Sequence, residues 1–407
     1  MLSRNPLNVT TALVFALFSM LLFAPAHLVQ AQTETILHNF TCQSTDGCEP
    51  YAGVVLDSHG NLYGTTPFGG AYGVGVVYKL TPSGNFTILH SFRNTGDGYF
   101  PYAGLALDSS GNLWGTTEEG GTYGAGTVFE VTPSGTEPWL YSFDPATGVS
   151  YPGAYAGVVL DSQGNLYGTT YGGGTYGCGT VFKLVPSSFT LTTLYSFTCG
   201  ADGAQPGAGV VLDSADNLYD TTPYGGASGF GVVFKVTQSG TETVLHSFTP
   251  NGEDGVDPQA GVILDSEDNI YGTTVEGGHI GVGTVFEVTA SGTETVLHSF
   301  KGGKDGISPY GSLVFDKKGN LYGTTFYGGS FDLGTVFELK PSGAEKILHS
   351  FAYNGIDGIL PWAGLAIDSS GNLYGTTTSG GTGTSCLLPG CGTVFKVVTK
   401  AAKDKTD

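Results

Sequence analysis

The sequence predicts an all-β fold: a seven-bladed β-propeller of four-stranded antiparallel blades, closed by the N-terminal strand joining the C-terminal blade. Three observations carry this. One unit recurs seven times: GTT starts at Gly64, Gly115, Gly168, Gly272, Gly323 and Gly375, and DTT from Asp220 is the remaining copy, at intervals of 51 to 53 residues. Each unit holds four short β-type runs separated by turn residues. The stretch TETILHNF, residues 33–40, reads as the fourth strand of a unit, and GTVFKVV, residues 392–398, as a third strand with no fourth after it. Four-stranded units of roughly 40–50 residues arranged radially make a propeller. Lending the first strand to the last blade removes an open sheet edge.

The elements of one unit follow in order in AGLALDSSGNLWGTTEEGGTYGAGTVFEVTPSGTEPWLYSF, Ala103 to Phe143. The four runs are AGLALD, NLWGTT, GTVFEVT and EPWLYSF. Between the first two, DSSGN places Gly111 where a hairpin needs positive φ; Asp216 and Asp268 fill that slot in two other copies, and Asp tolerates it better than most residues. Between the last two, TPSG sets Pro133 and Gly135 at turn positions. The glycine-rich link between the second and third runs, as in GNLYGTTYGGGTYGCGTVF (164–182), invites comparison with a phosphate loop. It leads into a strand rather than a helix, no lysine follows it in phosphate-loop position, and it occurs seven times. Its glycines let the chain reverse. A parallel β-helix is the rival architecture, but its repeats are far shorter and carry a calcium-binding Asp missing here.

Residues 1–31 read as a signal peptide: Arg4, the apolar run ALVFALFSMLLFAPA, and a small residue, Ala31, at the cleavage point. Residues 32–398 form the single propeller domain, and 399–407 a charged flexible tail. No second long apolar segment follows, so the mature chain is expected to lack a membrane span. The net charge of −20 repels polyanions and argues against nucleic acid as a partner. Six cysteines in an exported chain suggest disulfides. Cys42–Cys48 and Cys386–Cys391 are close in sequence, and Cys178 and Cys199 flank one predicted hairpin of the third and fourth strands.

The unit GNLYGTT…GG…G.GTVF.LTPSG…LHSF resembles the GloVer-type tandem repeat of exported bacterial proteins over nearly the whole chain after residue 31. The pattern P.AGL..D..GNLYGTT is also similar to NHL-type, streptogramin-lyase-like and gluconolactonase-like propellers. The resemblance implies strand order and propeller shape. It carries no chemistry, because no catalytic His or metal-binding Glu of those families matches a position here.

Residues recurring in every copy serve the blade; residues breaking the pattern are where function can be grafted. His38, His90, His246, His298 and His349, replaced by Tyr141 and Tyr195 in two copies, lie on outermost strands and are expected to pack with hydrogen bonds rather than converge on a metal. The recurring Asp-Gly at Asp46, Asp97, Asp202, Asp254, Asp305 and Asp357 is expected around the channel mouth. A carboxylate ring from Asp97, Asp202, Asp254, Asp305 and Asp357 would suit Ca²⁺, but Asp-Gly is also an ordinary turn dipeptide. No other cofactor is expected.

The most suggestive positions open the innermost strands: Tyr51, Tyr102, Tyr155, Tyr310 and Trp362, with Gly207 and Gln259 breaking the series. The glycine-rich loops add Phe68, Tyr72, Tyr123, Tyr171, Tyr176, Tyr224, Tyr327 and Phe331. Aromatic faces beside polar groups suit a sugar ring and its hydroxyls, although such rings also serve as filler between blades. Glu118, Glu119, Glu276 and His279 do not repeat and would form an acid–base set only if they faced one pocket. The first functional reading is a secreted, monomeric binding module, extracellular or periplasmic, for polysaccharide or a cell-surface protein. The second is a metal-dependent lyase or lactonase-type enzyme at the same face, and the third a structural envelope or matrix protein.

Overall fold

The structure, a computed structural model, describes residues 34–93, 96–152, 156–386 and 389–399. The leader and residues 400–407 of the tail lie outside the described residues. The first blade runs Val55–Leu56, Leu62–Thr66, Val76–Leu80 and Phe86–Ser91, each strand antiparallel to the next. Its two hairpins fall where the turn residues place them, and five blades repeat the pattern up to Glu345–Ser350. The seventh is composite: Ala366–Ile367, Leu373–Thr377 and Thr393–Val397 are completed by Glu34–Asn39, with Glu34 opposite Val397 and Asn39 opposite Thr393. The ring closes as the sequence requires. Among the described residues the only helical elements are three short 3₁₀ turns.

Positive φ is found at Gly111 (85°), Asp216 (59°) and Asp268 (60°), the slot where a hairpin needs it. All three disulfides are formed, and Cys178 and Cys199 face each other with Cα atoms 5.4 Å apart.

No blade has a core of its own. Seven apolar clusters each span two consecutive blades; one joins Tyr63 and Val77 of the first blade to Leu113 and Phe129 of the second. Burying both faces of every sheet this way supplies the main stabilisation. Two devices, one polar and one steric, set the spacing. The first threonine of each GTT or DTT donates to the next blade's innermost strand, from Thr65 Oγ1 to the Ala103 carbonyl (2.8 Å) round to Thr376 Oγ1 and the Ala52 carbonyl (2.8 Å). Next, at six seams the Pro of the new blade packs on the third-strand glycine of the blade before. A Cβ on Gly75 would sit 2.5 Å from Pro101, and one on Gly392 would sit 2.7 Å from Pro50. Thr376→Val keeps the shape and deletes the seam bond where the ring closes. We expect it to lower stability by about 1–2 kcal/mol in thermal denaturation, against little effect for a valine at exposed Thr136.

Candidate functional site: the aromatic mouth of the channel

After each outer strand the chain crosses to the next blade and docks on that blade's own glycine-rich loop. Gly98–Tyr99 pairs with Glu119–Gly120, and Gly255–Val256 with Glu276–Gly277. In six blades the residue before the Pro then takes a left-handed conformation although it is not glycine: Glu49, Phe100, Gln205, Asp257, Ser308 and Leu360 have φ between 54° and 60°. Such a conformation costs on the order of 1 kcal/mol per residue. Backbone bonds hold it, as from the Asp257 amide to the Phe230 carbonyl (3.2 Å). The Pro follows, and the next residue opens the innermost strand at the channel.

This brings the predicted rings together. Tyr51 meets Tyr102 edge-on (centroids 5.3 Å apart) and Trp362 (5.8 Å), and Trp362 stacks on Tyr310 at 4.2 Å with 15° between planes. Phe326 closes one flank against Tyr310 and Trp362, and Phe68 the other against Tyr102. The resulting arc Tyr102–Tyr51–Trp362–Tyr310 faces the gap left by Gly207 and Gln259. Tyr51, Tyr102, Tyr310, Trp362 and Gln259 line a cavity of about 260 Å³. Its floor is backbone, because glycines of adjacent innermost strands approach too closely for a side chain: a Cβ on Gly364 would lie 2.4 Å from the Ser312 carbonyl. Tyr155 lies outside the described residues.

Carboxyls stand around the rings. Gln259 Nε2 donates to Asp257 Oδ1 (2.7 Å). Burial pushes the Asp257 carboxyl above its ordinary range, and the charge of Glu276 adds to it. Burial raises Glu49, and burial plus Glu119 raises Glu118. The Tyr102 hydroxyl is pushed up to about 12, by burial first and then by Glu118.

Other predicted residues do not join this cluster. Tyr72, Tyr123 and Tyr176 are more than half exposed and lie outboard. Tyr72 sits under the Arg93 guanidinium, which follows an outer strand, and the Tyr176 carbonyl faces Cys199, which follows another. The reason is the turn of the glycine loop, which carries these residues back toward the outer strands. His279 lies in a larger perimeter groove of about 870 Å³ with His246 and Glu294, away from Glu118.

The Asp-Gly carboxylates require a correction. They stand at the blade perimeter, not around the channel mouth. His90 Nε2 lies 3.1 Å from Asp97 Oδ2, His246 Nε2 3.1 Å from Asp254 Oδ2, His298 Nε2 3.3 Å from Asp305 Oδ2, and His349 Nε2 3.2 Å from Asp357 Oδ2. In the third blade Tyr195 donates to Asp202 (2.9 Å). Each Asp stays beside the outer strand it has just left, so five separate blades hold them and no ring forms. The histidines are hydrogen-bonded there, as the sequence suggests. Glu34, Glu137 and Glu294 come within 4.8 Å of three of these His–Asp pairs, each across a blade seam.

A ring of seven four-stranded sheets with an aromatic-walled cup at one end of its axis defines the class: a seven-bladed β-propeller. The chain belongs to the Gloeobacter/Verrucomicrobia repeat family, whose profile it matches over residues 26–212 and 154–395. A comparison with curated proteins gives no match. Among solved structures it is similar to PorZ, an essential bacterial surface component of the type-IX secretion system of Porphyromonas gingivalis, with a TM-score of 0.53 and 15% identity over 87% of this chain. The match spans 47% of the PorZ chain. It is also similar to an oligogalacturonate lyase from Vibrio parahaemolyticus, with a TM-score of 0.54 and 10% identity, covering 91% of this chain and 94% of that one. At these identities the likeness shows the fold.

Proposed function

We propose that this protein is an exported binding module that holds extracellular carbohydrate in the aromatic mouth of its channel. The observation that carries it is the arc of Tyr102, Tyr51, Trp362 and Tyr310 above a backbone floor, with Gln259 on the rim and the Asp257 carboxyl bonded to it. Ring faces accept the apolar face of a pyranose, and the rim groups accept its hydroxyls. The disulfides suit an oxidising compartment, and no helix among the described residues is long and apolar enough to cross a membrane. The likeness to a bacterial surface component is compatible with such a location. Among the described residues lining the mouth there is no histidine, so the cup offers binding surface rather than an imidazole acid–base pair.

A glycan array probed with the disulfide-bonded chain, with and without calcium, tests the reading. Trp362→Ala removes the stacked face and is expected to weaken every hit roughly tenfold or more. Unchanged binding by that variant would take the cup out of consideration.

A further inference from the structure

Among the described residues no ion pair supplies a cation to the carboxyls around the mouth, Glu49, Glu118, Asp257 and Glu276. Glu49, Glu118 and Asp257 are half-buried. Seven of the described basic residues are placed by their contacts away from the cup. Lys79, Lys183, Lys235 and Lys396 lie over Tyr63, Tyr167, Tyr219 and Tyr374 of their own blades, and Arg93 lies over Tyr72. Lys301 lines the perimeter groove and Lys340 a pocket at the opposite hairpins.

Burial is what raises these carboxyls, so as anions they are poorly solvated and short of a counter-charge. A positive group entering the cup would meet the aromatic rings and, beside Gln259, the Asp257 carboxyl. An anionic sugar such as a uronate would meet repulsion from both.

We infer that the saccharide held in the mouth is an amino sugar with a free amine, its ring against Trp362 and Tyr310 and its ammonium beside the Asp257 carboxyl, which is bonded to Gln259 of the cavity wall. This rests on the carbohydrate reading above and names the chemical class of the ligand. Acetylating the amine removes the charge and keeps the ring, so the free amine is what the carboxyl selects. Salt weakens the contact, because part-exposed charges are screened.

The test is titration of the intact chain, at about pH 6.5 where an amine is charged, with three trimers: glucosamine, N-acetylglucosamine and galacturonate. The glucosamine trimer is expected to bind about tenfold or more tightly than the acetylated one and to weaken several-fold in Asp257→Asn. It should also weaken in Trp362→Ala, which a cation held loosely by the overall negative charge would not. Equal or tighter binding of the acetylated or galacturonate trimer overturns the inference and leaves the carbohydrate reading standing. Glucosamine binding indifferent to Trp362→Ala overturns the inference as well. If none of the trimers binds and the array is also blank, the carbohydrate reading falls and takes the inference with it.

Discussion

Asp220→Gly should stabilise the protein by about 2–4 kcal/mol at neutral pH and raise its unfolding temperature by several degrees. In six blades this second-strand position is glycine because the third-strand aromatic ring lies over it: a Cβ on Gly168 would be 2.8 Å from Phe182, and one on Gly272 2.5 Å from Phe286. The fourth blade has Asp220 in register with Phe234. Its side chain is fully buried and no hydrogen bond of good geometry reaches either carboxylate oxygen, the Thr221 amide only partly offsetting burial. Burial pushes its pKa up to about 8. Four units above the unfolded value is roughly 5 kcal/mol once the group is ionised in the unfolded chain. Glycine gives back about 1 kcal/mol through backbone entropy. Asp220→Asn separates the two contributions: it abolishes the titration while keeping a buried polar group, so it should gain less than glycine. A destabilised Asp220→Gly would show that the carboxyl has a partner at this seam.

The second large effect is a stability optimum on the acid side of neutrality, near pH 5. At five of the seven seams a glutamate opening one outer strand faces the perimeter Asp of the preceding blade. Burial and then the neighbouring Asp push Glu34, facing Asp357 and His349, and Glu242, facing Asp202, up to about 7. The same causes raise Glu137 beside Asp97 and His90, Glu294 beside Asp254 and His246, and Glu345 beside Asp305. One oxygen of each glutamate is buried and unpartnered. A carboxyl whose pKa is higher folded than unfolded binds its proton more tightly in the native state. For Glu34, Glu137, Glu242 and Glu345 the stability lent is complete below about 4.5 and is lost as pH rises through about 7. Each of these four contributes about 1 kcal/mol after discounting for its partial exposure; Glu294 acts in the same direction and Asp220 adds to the trend.

The acid limb has the opposite sign. Asp57, Asp161, Asp213, Asp265, Asp316 and Asp368 hold the first hairpin of their blades. Burial pulls each carboxyl up, but bonds from the Asn four residues on, nearby amides and a Tyr hydroxyl outweigh it and leave the pKa lowered. That stability is present above about 3.8 and lost as pH falls below it. Denaturant melts from pH 3 to 9 should trace a dome, and Glu34→Gln with Glu242→Gln should flatten its alkaline side. A stability that climbs steadily from pH 5 to pH 8 would contradict the seam pairs.

The ring was readable because its signals are local and repeated. Turn residues such as Gly111 and Asp268 mark hairpins, and the displaced strand at Glu34–Asn39 announces closure. The gathering of Tyr51, Tyr102, Tyr310 and Trp362 was readable from their common place at the head of innermost strands. What escaped depends on one segment docking on another. The left-handed residue before each Pro carries no glycine to signal it. The outboard placing of Tyr72, Tyr123 and Tyr176, and the perimeter placing of Asp97 and its counterparts, follow from how the linking segment lies on the next blade's loop. The seam glutamates look like ordinary surface charge until the neighbouring blade's His–Asp pair is brought against them.

Tryptophan fluorescence addresses the mouth most directly. Two of the three tryptophans, Trp114 and Trp139, pack against each other between the second and third blades; Trp362 alone lies at the channel. Titration with the glucosamine trimer and with its acetylated counterpart should give a saturable change with at least one of them in the wild type and none in Trp362→Phe. A change that survives in Trp362→Phe, or no change with either sugar, would place carbohydrate recognition outside the aromatic mouth.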